Sequence, residues 1–273
     1  MFFGLIGEKL KHSFSPIIHS IIFEELNIKS YYHLFEVKRE DLKEAIYGLK
    51  ALGAKGVNVT IPYKVEVIKY LDSISSEAKR IGAVNTICFK DNEAIGYNTD
   101  YYGFGIMLDK HHIDLKNKKA VILGTGGASK SVIQYLLDKG IGDITLVSRN
   151  VDSGKEKYKN FKIMSYDKIG LLKEQDLIIN CTPCGMHPNV QNSPIRKKDI
   201  FNFKVAVDLI YNPLETLFLK YGKEEGLKTI NGLYMLVGQA VKAQEFWNGI
   251  KINSSVCDKI YEKICDIQGG YNG

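Results

Sequence analysis

The chain has 273 residues, 45% hydrophobic and 25% charged, enough for two ordinary domains with the balance of a soluble globular protein. Its formal charge of +6 comes from 37 basic and 31 acidic residues interspersed along the chain. The densest basic stretches, KNKK at 116 to 119 and KEKYK at 155 to 159, read as short solvated faces, so no nucleic-acid partner is expected.

FFGLIG near the start is too short for a signal-peptide core, and no apolar run approaches the roughly 20 residues of a membrane helix. No membrane partner is therefore expected. Five cysteines without a regular framework point to a reducing compartment, and the expected location is the cytoplasm. Cys181 and Cys184 form one CxxC, which suits a redox pair or half a zinc site. No second CxxC completes four ligands, so no metal is expected, and the two read as small apolar residues at a strand end.

In chain order, FFGLIG reads as a buried strand, and Ser15-Pro16 opens a helix with Ser15 as N-cap and proline in the first turn. Ile17, Ile18, Ile21, Ile22 and Leu26 form its apolar stripe. YYHLFEV at 31 to 37 is a second strand. Leu42 to Leu52 repeat at helical spacing until Gly53, and KGVNVTI is a third strand. This β-α-β-α-β order predicts a mostly parallel sheet, closed by an antiparallel hairpin of AVNTICF and AIGYN. A helix over Tyr101 to His112 leads into a second unit with strands at 118 to 124, 143 to 149, 176 to 180 and 204 to 210. Helical patterns over Leu233 to Trp247 and Ser255 to Ile267 end the chain.

GTGGAS at 124 to 129 follows a strand and opens a helix, the context in which glycines let a pyrophosphate approach a helix N-terminus. After the next strand come Ser148, Arg149 and Asn150, where an acidic residue would bind the ribose hydroxyl of NAD. A guanidinium suits a 2′-phosphate, so NADP is favoured, although Asp152 lies close by. In an open parallel sheet, ligands sit beyond the carboxyl ends of the strands. Ser13 and Ser15 follow strand one, Thr60 and Lys64 follow strand three, Asn85 lies on the hairpin and Asp100 just after it. Each has a plainer role: Ser15 as a cap, Asn85 as a turn residue, Asp100 as a first-turn charge, Lys64 as a surface cation. Together they offer a lysine and a carboxylate for proton transfer, with hydroxyls and amides for a polyhydroxylated substrate.

HSFSP, NVTIPYK, GAVNTI, YNTD, GTGGAS, INCTPCGM, DLIYNP and NGLYMLVGQA fall in the order and spacing of the shikimate dehydrogenases, and the chain resembles that family over nearly its whole length. The resemblance implies an α/β protein of two domains with a cleft between them. A mixed, mostly parallel substrate domain is discontinuous, 1-100 plus 234-273, and a Rossmann-type NADP-binding domain spans 101-233. It implies reversible reduction of 3-dehydroshikimate to shikimate with NADP(H), in aromatic amino acid biosynthesis, by a monomer or homodimer acting on a small molecule.

Carried over by motif, Ser13 and Ser15 resemble the pair that binds the substrate carboxylate. Thr60, Asn85, Tyr211 and Gln239 resemble the other substrate-binding positions, and Lys64 with Asp100 resembles the catalytic pair. Gly124, Thr125, Gly126, Gly127 and Ala128 match the pyrophosphate loop, Ser148, Arg149 and Asn150 the adenosine end, and Leu209 and Gly232 the nicotinamide end. One motif departs from the family. NADP-specific members read Asn-Arg-Thr followed by a second basic residue, whereas here Ser153 stands near that second site and Lys155 is the nearby substitute. Other readings are a quinate/shikimate dehydrogenase using NAD, a non-catalytic sensor of nucleotide or shikimate, and a redox protein working through Cys181 and Cys184.

Overall fold

The computed structural model describes residues 1–10 and 13–271, with side chains through 267. Residues 11, 12, 272 and 273, which include His12 of HSFSP and the end of the expected substrate domain, lie outside the described residues. The chain divides into two compact units, one of Met1–Gly103 with the segment from Val237 onward, the other of Phe104–Leu236.

In the first unit, β1 (Phe2–Gly7), β2 (Tyr31–Glu36) and β3 (Gly56–Val59) pair in parallel around β1. Helices α1 (Ser15–Glu25) and α2 (Leu42–Ala51) connect them. The sheet continues through β5 (Thr86–Lys90) and β6 (Glu93–Tyr97), an antiparallel hairpin, and ends at β4 (Ser73–Ile74), giving the order β2-β1-β3-β5-β6-β4. Short β4 and the six-residue helix α3 (Ser76–Ile81) carry too little periodicity to stand out in the sequence. Ile46, Val57, Tyr63, Val67 and Ile87 lie in the core on one side of this sheet.

The expectation that Ser15 caps α1 is corrected. Ser15 is already helical and no side chain caps the helix at Phe14, because the Ser13 hydroxyl accepts the Ser15 N–H at 3.2 Å. The apolar stripe also shifts. Ile17 is exposed, while His19 and Phe23 join Ile18, Ile21 and Ile22 in the interior.

Helix α4 (Thr99–Lys110) starts two residues before the expected Tyr101. In the second unit, β7 (Lys119–Leu123), β8 (Asp143–Val147), β9 (Lys162–Met164), β10 (Leu177–Asn180), β11 (Val205–Asp208) and β12 (Lys228–Ile230) form one all-parallel sheet. Its order, β12-β11-β10-β7-β8-β9, reverses direction beside β7, the switch point at which doubly wound folds bind dinucleotides. Helices α5 (Gly127–Asp138), α6 (Val151–Lys157) and α7 (Leu217–Glu224) belong to this unit, and β7, β8, β10 and β11 read as apolar runs because they are buried on both faces, unlike the three-residue edge strands β9 and β12.

Helix α8 (Leu233–Asn248) ends in the first unit, and α9 (Ser254–Tyr271) follows. Trp247 fixes α8 to the first sheet. Its indole N–H donates to the Ile87 carbonyl at 2.8 Å and its ring stacks on Phe3 at 4.8 Å. Gly56 makes that possible, since a Cβ there would lie 2.1 Å from the indole nitrogen. No described helix is long and apolar enough to cross a membrane.

Candidate active site

In the first unit the chain turns sharply after β3. Tyr63 is the anchor of that turn: its N–H donates to the Thr60 carbonyl at 3.0 Å, its ring is buried, and its hydroxyl donates to the Val37 carbonyl at 2.6 Å. Tyr63 held inside and the Lys64 carbonyl accepting the Val84 N–H at 2.7 Å together anchor the Lys64 backbone. Its ammonium donates to Asp100 Oδ2 at 2.7 Å, with side chains 26% and 10% exposed, so the pair is half-sheltered yet reachable.

Asp100 owes its place to the start of α4. Asn98 Oδ1 accepts the Tyr101 N–H, and Asn85 Oδ1 accepts the Thr99 N–H at 2.6 Å, so two asparagines satisfy amides the helix leaves open. A carboxylate in that first turn also meets the positive end of the helix. Asn85 is 3% exposed, and its oxygen also faces the hydroxyls of Thr86 and Thr99. The amide nitrogen of Asn85 is thereby turned away from these three partners.

A buried network that the sequence did not reveal runs behind these residues. Tyr32 donates to Asn58 Oδ1 at 2.7 Å, and Asn58 Nδ2 donates to Thr86 Oγ1 at 2.9 Å. Thr86 in turn bonds Asn85 and Thr99. Burial raises the Tyr32 phenol pKa, against the opposing effect of its hydrogen bond with the Ser15 hydroxyl. One chain of hydrogen bonds therefore joins Ser15 to the amide of Asn85. The one available signal was Asn58, a polar residue in the GVNV strand.

His19 closes this network. It stacks on Tyr32 at 4.0 Å, and its Nδ1 lies 2.9 Å from Gln244 Nε2, which makes it the acceptor of a neutral ring. Burial pushes its pKa down to about 3, with the hydrogen bond to Asn58 opposing. The unfolded chain then binds the extra proton between about pH 6.5 and pH 3, so stability is complete above that range and falls as the pH drops through it. Urea unfolding midpoints should decline from pH 7 to pH 5, where most carboxylates are still ionised. His19→Phe should flatten that decline even if it lowers stability at pH 7, and an unchanged slope would exclude His19 as its source.

Of the other expected residues, Ser13 and Thr60 are half-buried in the first unit and Gln239 lies half-buried on α8. Tyr211 belongs to the second unit, just after β11, where burial raises its pKa.

In the second unit the glycine-rich loop joins β7 to α5. Gly124 has φ +97°, and a Cβ there would sit 2.8 Å from Thr182 Cγ2, so the close turn requires glycine. A cavity of about 810 Å³ opens over Gly124, Thr125 and Gly126, with Ser148, Arg149, Asn150 and Ser153 on its wall. Free N–H groups at the helix start, a hydroxyl and a guanidinium fit the phosphates of a dinucleotide. Asn150 Oδ1 accepts the Ser153 N–H and starts α6, which puts Ser153 rather than a second cation on the cavity wall. Lys155 is exposed on α6; the lysine that reaches the glycine-rich loop is Lys157.

Leu209 and Gly232 meet just past the carboxyl ends of β11 and β12, where a Cβ on Gly232 would fall 2.1 Å from the Leu209 carbonyl oxygen. Beside them Asp208 accepts from Asn180 Nδ2, Thr216 Oγ1 and the Ile210 N–H, while burial pushes its carboxyl up to about 7. Cys181 and Cys184 line the cavity as free thiols, and burial raises both pKa values, the reverse of what a reactive thiolate needs. No cluster of three or more metal-binding side chains exists among the described residues.

Two family models match the chain: the shikimate dehydrogenase substrate binding domain over residues 5–87, and shikimate / quinate 5-dehydrogenase over residues 107–209. The NADP(+) shikimate dehydrogenase of Clostridium perfringens is 52% identical over 264 residues, covering 96% of this chain and 97% of that one. Among solved structures, a chorismate mutase/shikimate 5-dehydrogenase fusion protein from Clostridium acetobutylicum superposes with a TM-score of 0.96 at 51% identity, covering 98% of each chain. The shikimate 5-dehydrogenase of Thermus thermophilus, in complex with NADP(H) and shikimate, gives a TM-score of 0.86 at 30% identity, covering 96% of this chain and 99% of that one.

Proposed function

The chain belongs to the shikimate dehydrogenase family, and we propose that it catalyses the reversible NADPH-dependent reduction of 3-dehydroshikimate to shikimate in aromatic amino acid biosynthesis. The observation that carries this reading is the 2.7 Å pair of Lys64 and Asp100, set beside the buried amide of Asn85. The first unit is the substrate and catalytic domain, and the second is the NADP-binding domain.

Bound NADP(H) supplies or accepts the hydride. The protein's own residues bind, orient and move a proton. The hydroxyls of Ser13 and Ser15 hold the substrate carboxylate, with Tyr32 and Asn58 fixing Ser15 from behind. Thr60, Asn85, Tyr211 and Gln239 take the ring hydroxyls and exclude water. Lys64 Nζ gives a proton to the carbonyl oxygen in reduction and recovers it from the hydroxyl in oxidation, while Asp100 keeps the ammonium aimed at that oxygen. Gly124, Thr125, Gly126, Gly127 and Ala128 hold the pyrophosphate, Ser148, Arg149 and Asn150 the adenosine end, and Leu209 and Gly232 the nicotinamide end. The enzyme works in the cytoplasm as a monomer or homodimer, a location supported by five free thiols.

The test is nicotinamide absorbance with purified protein and shikimate, comparing NADP⁺ with NAD⁺ and repeating with quinate. Reduction that requires shikimate and prefers NADP⁺ is the expected result, and no reduction under any condition would sink the proposal. Comparable rates with NAD⁺ and quinate favour the quinate/shikimate reading, for which the supporting observation is Ser153 on the cavity wall. Arg149→Ala should raise KM for NADP⁺ by about tenfold or more, as expected for loss of a charge-assisted phosphate contact, and leave KM for NAD⁺ nearly unchanged. Equal effects on both cofactors would remove Arg149 from the 2′-phosphate.

A further inference from the structure

The glycine-rich loop is held from outside by the C-terminal end of α6. Lys157 Nζ donates to the Thr125 carbonyl at 2.5 Å, and its ammonium lies 5.3 Å from the centre of the Tyr158 ring. The Tyr158 hydroxyl is 3.2 Å from Ser129 Oγ, which donates to the Gly126 carbonyl at 2.8 Å. Two consecutive carbonyls of the loop are thus pinned by side chains.

The consequence follows from peptide planarity. Neither peptide is cis, so each carbonyl points opposite to the N–H of the next residue. Fixing the Thr125 carbonyl toward Lys157 turns the Gly126 N–H the other way, and fixing the Gly126 carbonyl toward Ser129 does the same for the Gly127 N–H. Gly127 is already held as the first residue of α5, whereas Gly126 is exposed and has no side chain to limit a flip of the peptide before it. Without the Lys157 pin, the Gly126 amide would have to be ordered by the ligand itself, at a cost in affinity.

We propose that Lys157 is a positioning residue for the dinucleotide, presetting the Gly126 amide toward the pyrophosphate by holding the Thr125 carbonyl on the opposite side. The inference rests on the NADP-dependent reading given above. Burial, with a smaller contribution from Lys130 in the first turns of α5, lowers the Lys157 pKa. This role differs from that of Arg149. Arg149 discriminates cofactors, whereas a pyrophosphate is common to both, so Lys157 strengthens NADPH and NADH binding alike.

The experiment is fluorescence titration of the full chain with NADPH and with NADH, followed by steady-state kinetics with shikimate. Lys157→Met, which keeps the stem and removes the donor and the charge, should weaken both cofactors by the same factor, about tenfold. kcat at saturating NADP⁺ and KM for shikimate should stay within twofold, and Lys157→Arg should restore binding. Lys157→Gln serves if the Met variant does not fold. Unchanged dissociation constants would overturn the inference and leave the proposed function standing, and a loss confined to NADPH would overturn it by moving Lys157 to the 2′-phosphate. Wild-type protein that binds neither cofactor would overturn both.

Discussion

Lys64→Ala is expected to lower kcat by roughly 10²- to 10⁴-fold with a smaller change in KM, the range for removing a positioned acid/base group. Tyr63 and the backbone bonds to Thr60 and Val84 anchor the turn without the Lys64 side chain. What remains is Asp100, buried at 10% side-chain exposure, without its cation, a loss of stability that the positive end of α4 only partly offsets. Thermal unfolding should therefore shift down, and turnover is compared at a temperature where the variant is fully folded. Asp100→Asn should lower kcat less than Lys64→Ala, because the ammonium survives and only its aim is lost. A large KM change at unaltered kcat would make Lys64 a binding residue and leave the proton step without its donor.

The pair was legible in the sequence for a reason that does not extend to its surroundings. The carboxyl ends of parallel strands announce where polar residues gather, and β3 alternates Val57 and Val59 with Asn58 before Thr60 and Lys64. β7, buried on both faces, reads as an apolar run and announces the loop that follows it. Short edge elements such as β4, β9 and β12 have two or three residues, too few for any period, and they are held by neighbours distant in sequence. The network behind the site is also non-local. Ser15 and Asn85 are joined through Tyr32, Asn58 and Thr86 from three strands, and the partner of His19 is Gln244, 225 positions away. Lys157 was hidden in a basic run that reads as solvated surface, because a carbonyl partner on another element leaves no trace in composition.

Gly232→Ala should lower kcat/KM by roughly 10²-fold or more, although alanine is the smallest possible addition. The new Cβ would fall 2.1 Å from the Leu209 carbonyl oxygen and 2.4 Å from its carbon, backbone atoms that no rotamer change can move aside. Ordinary contact needs roughly 3.5 Å, so the two segments must part by more than about 1 Å. Neither segment is free to do so. The Gly232 N–H donates to the Ile210 carbonyl at 2.9 Å, the Leu209 N–H donates to the Asn180 carbonyl at 3.1 Å, and the buried Asp208 carboxylate holds Ile210, Asn180 and Thr216 together. The strain must either break one of these bonds or displace the start of α8, at a stability cost of about 1–3 kcal/mol. On the proposed placement of Leu209 and Gly232 at the nicotinamide end, a shift of that size would misalign the reacting carbons, so the loss should fall on kcat as well as on cofactor KM. Gly48→Ala, whose Cβ meets nothing within 4 Å, is the matched control and should keep full activity. Normal turnover in Gly232→Ala would mean that the close approach of these two segments does not set the geometry of the reaction.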